Sequence, residues 1–250
     1  MAKRVLILGA TSSVASEVAL IHAKRGDTLH LCGRNVQKLD AIAKACVDAG
    51  AARVTSQTVD FDALEQNEDV IREAIAALSA VDVALVAHGD LGDQLASERS
   101  FKDAEKILRT NFTSVVSLLI PLANAMEAQR SGALSVITSV AGERGRPRNY
   151  TYGAAKGALN VFLQGLRTRL YASGMKVTTI KLGPVDSPMT RDHKKHVLFG
   201  KPAGVAKDIV AAIDSGTAEA YVPKFWGAIM PVVKNTPEPV FQLLPFLSGR

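Results

Sequence analysis

Apolar positions fall along the chain in two alternating rhythms. Short β-type runs at Val5–Leu8, Thr28–Cys32, Arg53–Val59, Val81–Ala87, Ala133–Ser139 and Lys176–Leu182 read as strands. Between them lie longer stretches with the three-to-four-residue period of a helix face. Ala15, Val18, Ala19 and His22 within Val14–Arg25 follow i, i+3, i+4, i+7 spacing, and Val36–Asp48, Ala63–Leu78 and Thr151–Ser173 continue the pattern. Ser100–Gln129 reads as one long helical region that Pro121 should kink. Alternating β and α units predict an α/β fold with a parallel sheet and helices on both faces. Strands that are apolar at consecutive positions suit a sheet covered on both sides. The rhythm breaks after the sixth strand. A basic loop (Arg191–Lys207), a helix (Gly204–Ser215), a short strand (Ala220–Val222) and a proline-punctuated apolar tail over about 223–250 follow. With no repeat, linker or low-complexity tract, residues 1–250 read as a single domain.

Composition narrows the class. With 47% hydrophobic and 22% charged residues the chain is an ordinary globular protein, which excludes global disorder. No stretch reaches the roughly 18–20 uncharged apolar residues of a spanning helix. Val5–Leu8 behind Lys3 and Arg4 imitates a secretory leader, but the run stops at Gly9. Cys32 and Cys46 make no disulfide framework, so a reducing cytoplasm is the natural setting. The net charge of +6 leaves nucleic acid, an anionic membrane surface or an anionic substrate as partners. No nucleic-acid motif is present, and at 5% aromatic residues stacking platforms are scarce, so no nucleic-acid partner is expected. The charge is also local. Residues 143–207 hold 13 Lys and Arg against 3 acidic residues, which favours an anionic substrate.

The first strand runs into Gly9-Ala10-Thr11-Ser12-Ser13-Val14-Ala15 and then a helix. A turn of small residues lets backbone N–H groups reach a pyrophosphate at a helix N-terminus, where the dipole favours an anion. After the second strand an NAD site places an acid for the ribose 2′-hydroxyl. This chain has Arg34 there instead, a fork suited to a 2′-phosphate, so NADP(H) is expected over NAD(H). Asp60, past the third strand, can accept from an adenine amino group.

Tyr152 and Lys156 stand at i, i+4 on a helix and project from one face. A phenol of ordinary pKa about 10 needs a nearby cation to move protons at neutrality, and Lys156 is placed to supply one. Ser139 ends the fifth strand, where its hydroxyl can bond a substrate oxygen while Tyr152 transfers the proton. Asn111, in the long helix, can complete a water-linked proton path to Lys156.

At these residues the chain resembles the short-chain dehydrogenase/reductase family, over nearly its whole length. The resemblance implies a doubly wound Rossmann-type sheet of seven parallel strands in order 3-2-1-4-5-6-7. It implies a bound nicotinamide cofactor and a catalytic set of Asn111, Ser139, Tyr152 and Lys156, with Lys156 also bonding the nicotinamide ribose. The cofactor contacts carried over are Gly9, Thr11, Ser12, Ser13, Val14, Arg34, Asp60, Phe61, Ala87, His88, Gly89, Gly183, Val185 and Ser187, with residues 187–207 as substrate lid. A homodimer or homotetramer is implied as well. There are departures. Ser13 and Ala15 replace two glycines of the first turn, Val86-Ala87-His88-Gly89 keeps only the glycine of the family's NNAG, and Ser187 stands where a threonine is usual. Residues 86–93, Ser139–Arg144 and the tail from Tyr221 to Pro245 resemble one branch, the keto-reductases of decaprenylphosphoryl-ribose epimerisation. That implies a 2-keto sugar on a polyprenyl phosphate as substrate; a 3-oxoacyl thioester or a small ketone is the alternative, and a non-catalytic cofactor-binding regulatory protein the lesser one.

Arg144, Arg146 and Arg148 lie between Ser139 and Tyr152 and are expected to rim the active-site mouth, where they can bind a phosphate. Arg191, Lys194, Lys195, Lys201 and Lys207 fall on the lid. His193 and His196 have no carboxylate or cysteine pattern beside them, so no metal site is expected. The tail, with Trp226, is expected to close the pocket, pack on a partner subunit or lie in a membrane interface as a peripheral contact.

Overall fold

The protein is described here by a computed structural model covering residues 2–190 and 198–244. Its elements follow the alternation read from the sequence: β1 (Arg4–Leu8), α1 (Ser13–Lys24), β2 (Thr28–Gly33), α2 (Val36–Asp48), β3 (Arg53–Thr58), α3 (Asn67–Leu78) and β4 (Val83–Val86). Then come α4 (Gln94–Ser97), α5 (Phe101–Leu108), α6 (Ser114–Gln129), β5 (Ala133–Ser139), α7 (Tyr150–Leu170), β6 (Lys176–Leu182), α8 (Pro202–Ser215), β7 (Glu219–Val222), α9 (Trp226–Asn235) and α10 (Glu238–Leu243). The seven strands are all parallel, in order β3-β2-β1-β4-β5-β6-β7.

Alternation along β1 explains why every one of its central residues is apolar. Leu6 and Leu8 enter one core with α3, α6 and α7, and Val5 and Ile7 enter the other with α1, α2 and α8. Adjacent side chains of a strand point to opposite faces, so a sheet wrapped on both sides has no solvent face to spare. Cys32 and Cys46 are buried free thiols, and burial pushes both pKa values up, that of Cys46 to about 11.

The long helical region divides differently from the expectation. Pro121 sits inside an unbroken α6, and the interruption falls upstream, at a π-helical turn over Arg109–Thr113. Its middle residue supplies a reason. The Asn111 side-chain amide donates to the Ile107 carbonyl at 2.9 Å, the acceptor that the Asn111 backbone N–H would take in an α-helix. The ladder steps to i→i−5 around it, as π-bulges at functional sites do.

The tail is packed rather than loose. Trp226, Met230, Val233 and Phe241 are buried in a third core together with Val140, which follows the last residue of β5. Among the described residues no helix is long and apolar enough to cross a membrane.

Candidate active site

A cleft of about 570 Å³ opens along the carboxyl ends of the strands. Strand order reverses between β1 and β4, which is where open α/β sheets leave a crevice. Gly9 makes the tight turn there with φ at +89°, and a Cβ on it would stand 2.6 Å from the His88 backbone nitrogen. Its N–H and that of Ala10 both donate to the Cys32 carbonyl at 2.9 Å, tying β1's turn to β2. Ser12 caps α1 without a side-chain hydrogen bond, so the first N–H groups of α1 remain to be satisfied at the cleft. Ser13 and Ala15 replace glycines without disturbing this: Ser13 is the first helical residue, and Ala15 is fully buried on the inner face.

Beyond β2, Arg34 lines the cleft together with Lys38, one turn into α2, which sequence reasoning missed. Both are exposed, and neither has a side-chain partner among the described residues. Asp60 is exposed at the same end, its Oδ1 accepting from the Asp62 N–H at 3.2 Å. Phe61 stacks on the His88 ring with centroids 4.5 Å apart. Ser114 gives its hydroxyl proton to the Thr110 carbonyl (2.8 Å), so it accepts from His88 Nε2 (2.9 Å). This assigns the proton to Nε2 and leaves Nδ1 a buried acceptor without a donor. Burial, with Lys156 and Arg34 nearby, pushes the His88 pKa down to about 3, so the ring is neutral.

Ser139, Tyr152 and Lys156 meet farther along the cleft. Ser139 Oγ donates to the Leu182 carbonyl at 3.3 Å and accepts from the Ala141 N–H at 3.1 Å. Lys156 Nζ lies 5.8 Å from the centre of the Tyr152 ring and donates to the Ile137 carbonyl at 3.3 Å. Burial lowers the lysine to about 8. The tyrosine differs from the expectation that Lys156 depresses it. Burial outweighs everything else and raises the phenol to about 12, with the Ser139 hydroxyl pulling back and Asp90 pushing the same way as burial. The chain by itself therefore holds Tyr152 as a phenol, with its proton in place.

Asn111 is fully buried beside them. Its carboxamide is spent on protein: Oδ1 accepts from the Asp90 N–H (3.1 Å), and Nδ2 donates to the carbonyls of Asp90 (2.6 Å) and Ile107 (2.9 Å). The side chain clamps the loop after β4. Gly89 lies in this clamp, where a Cβ would stand 2.8 Å from Asn111 Oδ1 and 3.3 Å from Lys156 Nζ.

The three arginines expected at the mouth separate. Arg144 is turned away and committed to the tail. Its Nη1 donates to the carbonyls of Val233 (3.4 Å), Lys234 (3.0 Å) and Thr236 (2.7 Å), its Nη2 meets Glu238 at 2.7 Å, and the guanidinium covers the Phe241 ring at 4.1 Å. These carbonyls end α9, so Arg144 serves as a C-terminal cap from across the chain. Arg148 is exposed and does not line the cleft; Arg146 does. Lys201 and Lys207, at and within the start of α8, are not lining residues either. Arg191, His193, Lys194, Lys195 and His196 lie outside the described residues, as does the tail beyond Leu244. Ala87, Gly183, Val185 and Ser187 all reach the cleft, and Ser187 is joined to Thr190 in a short 3₁₀ turn where the expected lid begins. Trp226 also lines it, a role that its place in an apolar tail left open among three possibilities.

The short-chain dehydrogenase family model matches residues 3–197. The chain is a short-chain dehydrogenase. An uncharacterised oxidoreductase of Streptomyces coelicolor is 32% identical over 244 residues, 97% of this chain and 96% of that protein. Among solved structures, levodione reductase superposes with a TM-score of 0.82 at 20% identity, over 90% of this chain and 98% of that one. A variant of actinorhodin polyketide ketoreductase, solved with NADPH, gives 0.80 at 22%, over 90% and 97%. Such identities carry the fold alone. Family membership makes this short-chain dehydrogenase an NAD(P)-dependent oxidoreductase. The residues present suit such a cofactor: open N–H groups at α1, an orphaned His88 acceptor beside a stacked Phe61, and cations beyond β2.

Proposed function

We propose that this short-chain dehydrogenase is an NADPH-dependent carbonyl reductase acting on a keto-sugar carried by a polyprenyl phosphate. The observation that carries the reaction class is the convergence of Ser139, Tyr152 and Lys156 in a cleft that continues to the N-terminus of α1. A reduced nicotinamide, when bound, supplies the hydride. Gly9, the residues Thr11–Val14, Gly89, Gly183, Val185 and Ser187 would hold the cofactor along the cleft. Ser139 orients the substrate carbonyl through its hydroxyl. Tyr152 delivers the proton from its phenol to the carbonyl oxygen. Lys156, cationic below about pH 8, steadies the phenolate that remains. Arg34 and Lys38, with no acid at the end of β2, support a 2′-phosphate and so NADP(H) over NAD(H).

The substrate follows from the branch resemblance in residues 86–93, in Ser139–Arg144 and in the tail, and from the basicity of residues 143–207. Phe225, Val232, Val240 and Leu243 on the tail's outer side are exposed and would suit a cytoplasmic protein that meets its lipid at a membrane surface. Phe101, Val161 and Tyr171 are also exposed and support a homodimer or homotetramer.

NADPH oxidation across lipid-linked keto-sugars, 3-oxoacyl thioesters and small ketones tests the whole reading. Tyr152→Phe should lower turnover by about 10²–10⁴-fold, the worth of a positioned proton donor; full activity in that variant refutes the mechanism. Fast turnover of thioesters or soluble ketones with none of the lipid-linked sugar replaces the substrate. Arg34→Ala should cut the NADPH-over-NADH preference by about tenfold or more, and an unchanged ratio removes Arg34 from the site.

A further inference from the structure

The cleft that holds Tyr152 is lined by a guanidinium that nothing among the described residues pairs with. Arg146, on the loop between β5 and α7, lines the cleft, and its Nε–H is sealed from solvent without an acceptor. Burial pulls its guanidinium below the ordinary value, and no carboxylate offsets it. Asp90, the acid nearest Tyr152, does not pair with it; Asp90 Oδ1 accepts the Gly92 N–H instead. Trp226 lines the same cleft at 5% exposure, and its Nε1–H is likewise buried without an acceptor. That N–H lies against the Gly183 backbone, where a Cβ has no room, so it is closed to a ligand and Arg146 is the one left open to the cleft.

An uncompensated guanidinium in a half-buried position costs stability, since its lost hydration is not returned by a partner. Arg144, two residues upstream, shows what a structural arginine obtains in this fold: three carbonyls, a carboxylate and an aromatic face. Arg146 has none of these. Donors without acceptors form a site for something rich in acceptors and negative charge.

We infer that Arg146 recognises an anionic oxygen group, a phosphate or a carboxylate, carried by the ketone that Tyr152 and Ser139 receive. This rests on the reductase reading and narrows it. Arg146 lines the same cleft as Ser139 and Tyr152, so the anion would belong to the ketone bound there. A keto sugar esterified to phosphate carries such a group, and so does a keto acid.

The test uses the intact protein saturated with NADPH, which closes the cofactor end. Inorganic phosphate and acetate are titrated as separate probes, with binding read by calorimetry. Wild type should bind one of them saturably; Arg146→Met should weaken it by about 10–100-fold, and Arg146→Lys should recover part. Preference for phosphate assigns a phosphoester substrate, and preference for acetate a carboxylate. A second readout separates recognition from structure: Arg146→Met should raise the melting temperature of the ligand-free protein by about 2–4 °C. Equal binding by wild type and Arg146→Met, no binding of either probe, or a lowered melting temperature in Arg146→Met overturns the inference. Those outcomes leave the reductase reading standing if Tyr152→Phe still abolishes turnover; a Tyr152→Phe protein of full activity removes that reading first.

Discussion

A methyl group added at Gly89 probes the clamp that holds the candidate active site. In Gly89→Ala the new Cβ would stand 2.8 Å from Asn111 Oδ1 and 3.3 Å from Lys156 Nζ. Relief to ordinary contact requires about 0.6 Å of movement at Asn111, which is fully buried. That carboxamide makes three hydrogen bonds, at 3.1, 2.6 and 2.9 Å. Loosening them costs about 1 kcal/mol each, so the variant should lose about 2–3 kcal/mol. For a chain of 250 residues this is a fall of about 5–10 °C in melting temperature. Turnover should fall further than stability accounts for, because Lys156 is displaced with Asn111. The control is Gly165→Ala in α7, where an added Cβ meets nothing within 4 Å. It should be neutral or stabilising by about 0.4–1 kcal/mol, since alanine also restricts the unfolded chain. Thermal unfolding and NADPH-oxidation assays on both variants decide the matter. A Gly89→Ala protein with unchanged melting temperature and rate, or a Gly165→Ala protein equally damaged, refutes the reasoning.

Two further outcomes follow from the geometry. Lys156 loses its proton through about pH 8, so the cation behind Tyr152 is present below that pH and absent above it. Carbonyl reduction should therefore decline by about tenfold between pH 7 and 9, while Lys156→Arg, charged throughout, should show no such decline; a flat wild-type profile counts against the role. Arg144→Ala removes three carbonyl contacts and the cover of Phe241, for about 2–3 kcal/mol, whereas its exposed pairing with Glu238 adds little. Limited proteolysis should then cut near residues 234–238, and resistance equal to wild type would show that Arg144 does not hold the tail.

Periodicity carried the fold. A strand buried on both faces must be apolar at consecutive positions, and a helix on its flank must repeat every three or four, so β1 to β6 and their helices were visible in the residues themselves. The π-turn was not visible, because it depends on where one amide finds its acceptors: Asn111 takes the Ile107 carbonyl only in the folded loop. Pro121 drew attention instead, yet it lies inside α6. Lys38 went unnoticed since an exposed lysine on a helix is ordinary until the turn of β1 is folded beside it.

By itself, then, the sequence determined the parallel α/β architecture, the small-residue turn after β1, the absence of an acid after β2, and the order Ser139, Tyr152, Lys156. These are local facts of residue type and spacing. Tertiary structure decided what each charge has for company. Arg144, Arg146 and Arg148 look alike in a row of five residues, but one caps α9, one stays exposed, and one is held in the cleft without a counter-charge among the described residues. It decided as well that Tyr152 keeps its proton, since burial, which no spacing reports, outweighs the pull of the Ser139 hydroxyl. Solvation and pairing depend on atoms brought together from distant parts of the chain, and only the packed molecule specifies them.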